Sequence, residues 1–225
     1  MTARVALYFA PSCTHPLWIA GCEWLGRDPG QGTTSEGGPH RADPRRYGFH
    51  ATLKPPFALR DGTTRTQLTD ALSRLVDERV AFDMPRLAVA QLGDFIALRP
   101  VGRDATSPGQ PLRELADDCV RLFDEFRRPP SPAETARRMA AGLDEQQCWN
   151  VDRWGYPHVF EQWRFHMTLT DSLSDDRLRA GLLADATRHF APALAEPLRC
   201  DGVALFVEDE AGADFRLLRR FDFAR

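Results

Sequence analysis

The pattern of apolar and polar positions divides the chain into a sequence of short strands and amphipathic helices. Arg4 to Ala10 is rich in Val, Leu, Tyr and Phe and reads as a strand, and His15 to Leu25 as a short helix. Gly26 to Asp43 has Gly-Gly, Pro, Ser and Thr and no periodicity, so a mobile loop is expected there. Tyr47 to Lys54 reads as a strand that Pro55-Pro56 should end, because proline brings no donor to a ladder. Leu68, Leu72, Leu75 and Val76 then recur at helical spacing, with Thr63 or Thr64 as cap. Two strands, Phe82 to Leu92 and Phe95 to Pro100, follow around Gly93-Asp94.

From Pro108, Leu112, Leu115, Ala116, Cys119, Leu122, Phe123 and Phe126 mark a third helix. Ser131, Pro132 and Glu134 have the spacing of a capping box for a fourth, expected to reach about Leu143. Asn150 to Glu161 reads as an aromatic connector with Trp154, Tyr156 and Phe160, and Gln162 to Thr170 as another strand. A helix at Ser174 to His189 and a hairpin of Leu198 to Val207 with Phe215 to Phe223 complete the chain.

The element order repeats. The strand ending near Lys54 and the strand ending near Thr170 are each followed by helix, strand, strand. The expected fold class is α+β: two pseudo-symmetric lobes of mostly antiparallel sheet, helices on their outer faces, and a central cleft. Repeat A covers about 45–102, a helical connector about 107–160 and repeat B about 161–225, all within one bilobal domain.

Side chains two apart share a face of a strand. One face of the first repeated strand holds Gly48, His50, Thr52 and Lys54, and the other holds apolar Phe49, Ala51 and Leu53. In the second, Arg164, His166, Thr168 and Thr170 alternate with Phe165, Met167 and Leu169. Each strand therefore pairs a core face with a face presenting an imidazole, a hydroxyl and a cation. Opening a phosphodiester requires a base for the attacking water and an acid for the leaving alkoxide. Imidazoles serve both roles near neutral pH. Hydroxyls and cations stabilise charge on the non-bridging oxygens. His50, Thr52, His166 and Thr168 are the candidate catalytic residues; Lys54, Arg164, Tyr156 and Arg46 are the candidate substrate-binding residues. No metal or other cofactor is required by this scheme.

Composition narrows the partners. The formal net charge is −3, with hydrophobic residues at 43% and charged residues at 27%. A protein gripping long nucleic acid usually carries a basic excess, so extended nucleic acid is not expected, while a local basic pocket is compatible with this charge. Among 29 basic residues, Lys54 alone is a lysine. Five cysteines without a CxxC pair point to reduced thiols and a cytoplasmic setting, and Cys13, His15 and Cys22 lack the spacing of a zinc site. The N-terminal apolar run is too short for a secretion signal, and no stretch approaches the roughly 18 residues of a membrane span. A monomer acting on a small phosphorylated molecule is expected.

The phrases YGFHATLKPPF and WRFHMTLT resemble the paired H-x-T/S motifs of the two-histidine phosphoesterase superfamily, which includes RNA 2′,3′-cyclic phosphodiesterases and 2′-5′ RNA ligases. The likeness covers most of the chain and is greatest to a bacterial branch associated with phosphonate-degradation genes, including the stretch Trp154 to Pro157 before the second motif. It implies a bilobal fold with pseudo-twofold symmetry, catalytic roles for both H-x-T pairs, and a cyclic phosphate of a small molecule as substrate. An RNA end is the alternative substrate, and phosphometabolite binding without turnover a further class.

Overall fold

A computed structural model describes residues 3–101, 110–140 and 142–224. The expected helix start at Pro108, and the repeat boundaries at 102 and 107, lie outside the described residues. The chain opens with β1 (Arg4–Phe9) and α1 (Pro16–Leu25), which starts where His15 Nδ1 accepts from the Leu17 amide at 3.0 Å. A small hairpin, β2 (Arg27–Asp28) and β3 (Thr33–Thr34), and the helix α2 (Ala42–Tyr47) precede β4 (Ala51–Phe57). Residues 26–43 are thus not a structureless loop. The buried Arg27 guanidinium ties this segment down by donating to the carbonyls of Arg45 and Arg46.

Next come α3 (Arg65–Asp77), β5 (Phe82–Asp83), β6 (Leu87–Leu92) and β7 (Phe95–Pro100). Thr64 and Gln67 form a capping box at the start of α3. The connector contains α4 (Gln110–Leu122), α5 (Pro132–Met139) and α6 (Glu145–Trp154). Ser131 and Glu134 cap α5 as expected, but the helix stops at Met139, short of Leu143. Helix α6 occupies much of the expected aromatic connector. It carries an Asp144–Gln147 capping box but buries only Asn150 and Val151, so it has no apolar stripe to reveal it. Finally β8 (Met167–Thr168), α7 (Asp176–Phe190), β9 (Arg199–Cys200), β10 (Gly202–Glu208) and β11 (Arg216–Asp222) follow.

Seven strands form one antiparallel sheet in the order β11-β10-β1-β4-β8-β7-β6. The fold class is α+β, as the element order implies. The two repeats are interleaved. Hairpin β6-β7 follows the first motif in the chain but pairs with β8, and hairpin β10-β11 follows the second motif but joins β4 through β1. Each following helix crosses over likewise, α3 packing on β10 and β11 and α7 on β6 and β7. The halves meet at the seam between β4 and β8.

Strand β4 runs through Pro55-Pro56 instead of ending there. Leu7 pairs with Lys54 and Val5 with Phe57, so two steps on β1 match three on β4, and the prolines fall in this irregular stretch where ladder donors are not required. A second irregularity lies one step earlier. Tyr8 pairs with Thr52 and Leu7 with Lys54, which leaves Leu53 as an extra residue and turns Lys54 to the opposite face from Thr52.

Beneath the site, Phe49 lies fully buried against Gly21 of α1. A Cβ at Gly21 would overlap the Phe49 ring. Gly21→Ala should therefore cost ~1–3 kcal/mol by overpacking, lowering Tm by roughly 2–4 °C per kcal/mol in a chain of this size. A melting curve unchanged from wild type would contradict this packing.

Candidate active site

The site is built on the seam. Ala51 and Met167 are directly paired, and both are buried. Opposite residues of an antiparallel pair project from the same face. With Ala51 and Met167 turned into the core, the flanking positions turn outward, His50 beside Thr168 and Thr52 beside His166. A local pseudo-twofold axis runs between the two buried residues, so one face collects both H-x-T motifs. The proximity is electrostatic as well, since His166 contributes to lowering the His50 pKa.

Both imidazoles are held in the same way. His50 Nδ1 lies 2.8 Å from the Gly48 carbonyl, and His166 Nδ1 lies 2.9 Å from the Arg164 carbonyl. A carbonyl only accepts, so each Nδ1 carries the hydrogen and each Nε2 keeps its lone pair in the neutral ring. Gly48 reaches this geometry at φ 80°, a conformation that favours glycine. Thr52 Oγ1 sits 3.3 Å from His50 Nε2, placing the hydroxyl at the reactive nitrogen.

Two tryptophans brace the seam. The Trp163 indole donates to the Thr52 carbonyl at 2.8 Å, and the Trp24 indole donates to the Leu169 carbonyl at 2.8 Å. Each such bond contributes about 1 kcal/mol net. Strand β8 is shorter than the expected Gln162–Thr170, because Phe160–Gln162 forms a 3-10 turn with Phe160 at φ 52°. Past β8 the ladder with β7 continues through Leu169 N to Ile96 O at 2.9 Å, and then through Ile96 N to the hydroxyl of Thr170. Thr170 is therefore buried in a structural bond and does not stand on the histidine face.

The structure brings together more aromatic groups than the motifs disclose. Tyr8 stacks on His50 with ring centroids 3.6 Å apart and planes 20° from parallel. Tyr47 lies 6.4 Å from the same imidazole. Tyr8 and Tyr47 thus both flank His50, and burial raises the pKa of Tyr8 and of Tyr156. Tyr156 also meets His158 edge to face at 5.7 Å. Tyr8 sits in the apolar run Arg4 to Ala10, and nothing in that run distinguishes it from a core residue.

The cations are distributed differently from expectation. Lys54 is buried, and its Nζ donates to the Val120 carbonyl at 3.1 Å and stands 3.6 Å from Asp124 at the end of α4. The bulge at Leu53 is the cause. Arg46 directs its guanidinium to Glu208, to the carbonyls of Gly212 and Ala213 and to the Tyr47 hydroxyl. Arg164 is exposed and folds back on the carbonyls of Glu161 and Trp163. The cation missed from the sequence is Arg99. Ala97 pairs with Thr168 and Leu98 with Met167, so the register of β7 carries Arg99 alongside His166 on the same face. Its charge contributes to lowering the His166 pKa.

Burial beneath Tyr8 pushes the His50 pKa down to about 4, against a smaller upward pull from the Gly48 bond. Burial also lowers His166, with Arg99 and His158 adding to it and the Arg164 carbonyl opposing. Both rings are neutral in the free protein at pH 7. Glu208 is fully buried in the same face. Burial alone would raise its carboxyl, but hydrogen bonds from Arg4 and the Gly212 amide and the charge of Arg46 hold it below the ordinary range. Among the described residues, no group of three or more His, Cys, Asp or Glu could hold a metal ion. Cys13 is exposed and Cys22 half-buried, and His15 is engaged as the α1 cap. No helix among the described residues is long and apolar enough to cross a membrane.

A family model described as Protein of unknown function (DUF1045) matches residues 52–216. The chain belongs to that family. It is 38% identical to a protein of Janthinobacterium sp. (strain Marseille) named Ribose 1,5-bisphosphate phosphokinase PhnN, over 98% of this chain and 51% of that protein. A protein of the same name from Laribacter hongkongensis (strain HLHK9) is also 38% identical, over 96% of this chain and 51% of its own length. The chain thus spans about half the length of the curated relatives it matches. Two solved structures are distantly similar. One is described as a phosphoesterase, at 12% identity and TM-score 0.44 over 100% of both chains. The other is E. coli LigT complexed with NADP+, at 13% identity and TM-score 0.42 over 100% of this chain and 99% of that one. At that distance neither transfers a residue role or a reaction.

The site geometry predicts the titration of His50. Nitrogen-detected NMR should find Nδ1 protonated and Nε2 bare at pH 7, with protonation only near pH 4. The unfolded chain takes up this proton near pH 6.5, which the folded chain refuses until about 4, so stability should fall as pH drops through that window and level off below it. A His50 titration at 6.5 or above would contradict the arrangement.

Proposed function

We propose that this protein opens a cyclic phosphate or related phosphodiester of a small molecule, using its two histidines as base and acid. The observation that carries the reading is the pairing of Ala51 with Met167, which sets both H-x-T motifs on one face with each Nε2 unprotonated and its ring fixed by a carbonyl. The motif likeness to two-histidine phosphoesterases supports the same reaction class.

The two imidazoles are not equivalent, which assigns their roles. His50 has the pKa of about 4 and is the neutral base. His166, whose pKa is lowered by burial, Arg99 and His158 but pulled upward by the Arg164 carbonyl, is assigned as the acid once the anionic substrate has raised its pKa. Water attacks phosphorus as His50 Nε2 takes one of its protons, and the P–O bond to the leaving alkoxide breaks as His166 Nε2–H protonates that oxygen. The products are a phosphate monoester and a free hydroxyl. His50 then returns its proton to solvent and His166 takes one up. Thr52 and Thr168 donate to the non-bridging oxygens, and Arg99 offsets the charge that builds there. Tyr156 closes the aromatic side of the site. This scheme uses only side chains of the protein, and no cofactor enters it.

A sugar phosphate is the favoured substrate. The curated relatives are named for an activity on ribose 1,5-bisphosphate, and the phosphonate-linked branch that the motifs resemble points the same way. The negative net charge of −3 favours a small molecule over an RNA end.

Phosphorus NMR of a panel of ribose cyclic phosphates and nucleoside 2′,3′-cyclic phosphates, with EDTA present, tests the reading. Conversion to a monoester should occur in wild type and fall by at least roughly a hundredfold in His50→Ala and in His166→Ala. Retained turnover in either variant, or a strict need for added divalent metal, would sink the mechanism. The profile of kcat/KM should be bell-shaped with its maximum below neutrality, because both free-enzyme pKa values are lowered. The kcat profile should lie at higher pH, since bound phosphate raises the acid; a kcat profile displaced to lower pH would reverse this assignment. Arg99→Ala should lower kcat/KM by roughly 10- to 100-fold with Tm preserved, as expected for a group acting on transition-state charge.

A further inference from the structure

Beside the histidine face lies a recess of about 340 Å³ with an unusual wall. Arg4 comes from β1, Lys54 from β4, Arg127 and Arg128 from the link between α4 and α5, and Arg137 and Arg138 from the last turn of α5. Glu134 is the one acid in that wall. In a chain with an overall formal charge of −3, six converging cations are a local feature that composition does not explain.

Part of this charge is held internally. Arg4 forks onto buried Glu208, and Arg127 bonds Asp124 at 2.7 Å, with Lys54 3.6 Å from the same carboxylate. The rest is poorly answered. Arg128 stands 3.7 Å from Glu134, beyond hydrogen-bond range. Arg138 bonds the Gly155 carbonyl, a neutral acceptor. Arg137 makes no hydrogen bond or ion pair among the described residues. The like charges register on one another. Burial lowers Arg138 foremost, Glu134 opposes, and Arg127, Arg137 and Arg4 each lower it further. Burial pushes Lys54 down to about 8 despite Asp124, with Arg127 adding to the shift. An anion with several oxygens would relieve this repulsion and engage the forked donors of Arg137 and of Arg128, whose one ion pair is loose.

The recess adjoins the strands of the catalytic face through Arg4 of β1. Lys54, turned to the other face of β4 by the bulge at Leu53, enters the recess from beneath. On β1, Arg4 and Tyr8 share a face, and four residues of strand measure about 13 Å; Tyr8 is the ring stacked on His50. Arg46 shares Glu208 with Arg4 and donates to the Tyr47 hydroxyl at 3.1 Å, and the Tyr47 ring lies 6.4 Å from that of His50. Arginine side chains reach back across much of that distance, so one small molecule can span both places.

We propose that this recess binds a second, non-reacting phosphate monoester of the substrate, so that the protein selects cyclic phosphates bearing a terminal phosphate over those without one. The inference rests on the phosphodiesterase reading for its catalytic consequence, but the binding of a phosphate monoester in the recess stands on the arginines alone.

Two measurements separate these parts. The first compares kcat/KM for a ribose cyclic phosphate with and without a 5-phosphate, in wild type and in Arg128→Ala/Arg137→Ala. The phosphorylated compound should be preferred by more than roughly tenfold in wild type, and the preference should fall at least roughly tenfold in the variant. Arg128→Lys/Arg137→Lys should recover part of it, which a merely misfolded protein would not do. A preference near one in wild type, or one unmoved by the arginine changes, overturns the inference. The second measures calorimetric binding of ribose 5-phosphate. It should bind wild type and His50→Ala/His166→Ala alike, and lose at least roughly tenfold in affinity in the double alanine arginine variant. Binding lost with the histidines but kept without the arginines overturns the inference. Binding in the recess with neither cyclic compound turned over supports the recess and counts against the phosphodiesterase reading alone.

Discussion

The structure depends on one short contact, the antiparallel pairing of β4 with β8 at Ala51 and Met167. Every chemical feature of the site follows from its register. A slip of one residue would turn both histidines and both threonines into the core and expose Phe49, Leu53, Phe165 and Leu169. The pairing itself is only a residue long, so its specification comes from around it: apolar alternation on both strands, the fully buried faces of β1 and β7 on either side, and indole bonds from Trp163 and Trp24 to carbonyls of the two motif strands. Exchange of hairpins between the repeats adds to this. Neither half of the sheet is completed by its own sequence repeat, so the seam is closed wherever the chain is folded at all.

This arrangement sets the electrostatics. A face crowded by Tyr8, Tyr47 and Phe206 is poor surroundings for charge, and the imidazoles respond by staying neutral. Neutral rings with bare Nε2 atoms suit an anionic ligand, whose arrival supplies the charge that lets one of them hold a proton. Positive charge is instead stored at the margins, on Arg99 beside His166 and in the arginine-lined recess beyond Lys54. The single lysine of the chain belongs to that margin, turned there by the bulge at Leu53.

Much of this was legible in the sequence. Alternation about His50 and His166 was enough to locate two strands and their core faces, although Tyr47 ends α2 and each regular strand begins one residue after its histidine, at Ala51 and Met167; capping residues at Thr64 and Ser131 marked true helix starts. What escaped was set by tertiary pairing. Strict parity carried Lys54 onto the histidine face, because a bulge leaves no mark in a two-residue period. Thr170 was misplaced for a similar reason, since its hydroxyl substitutes for a backbone acceptor toward Ile96. Arg99 and Tyr8 were invisible as site residues because their relevance comes from neighbours distant in sequence, β8 for one and β4 for the other. Helix α6 was missed because it buries too little to show a stripe.

The central claim is that the two H-x-T motifs address one phosphorus. A crystal structure with orthovanadate, a five-coordinate mimic of phosphorus under attack, tests it most directly. The account predicts a single vanadate within hydrogen-bond range of Nε2 of both His50 and His166, with the hydroxyls of Thr52 and Thr168 on its equatorial oxygens. Vanadate held by one histidine alone, or found only among the arginines of the neighbouring recess, would contradict it.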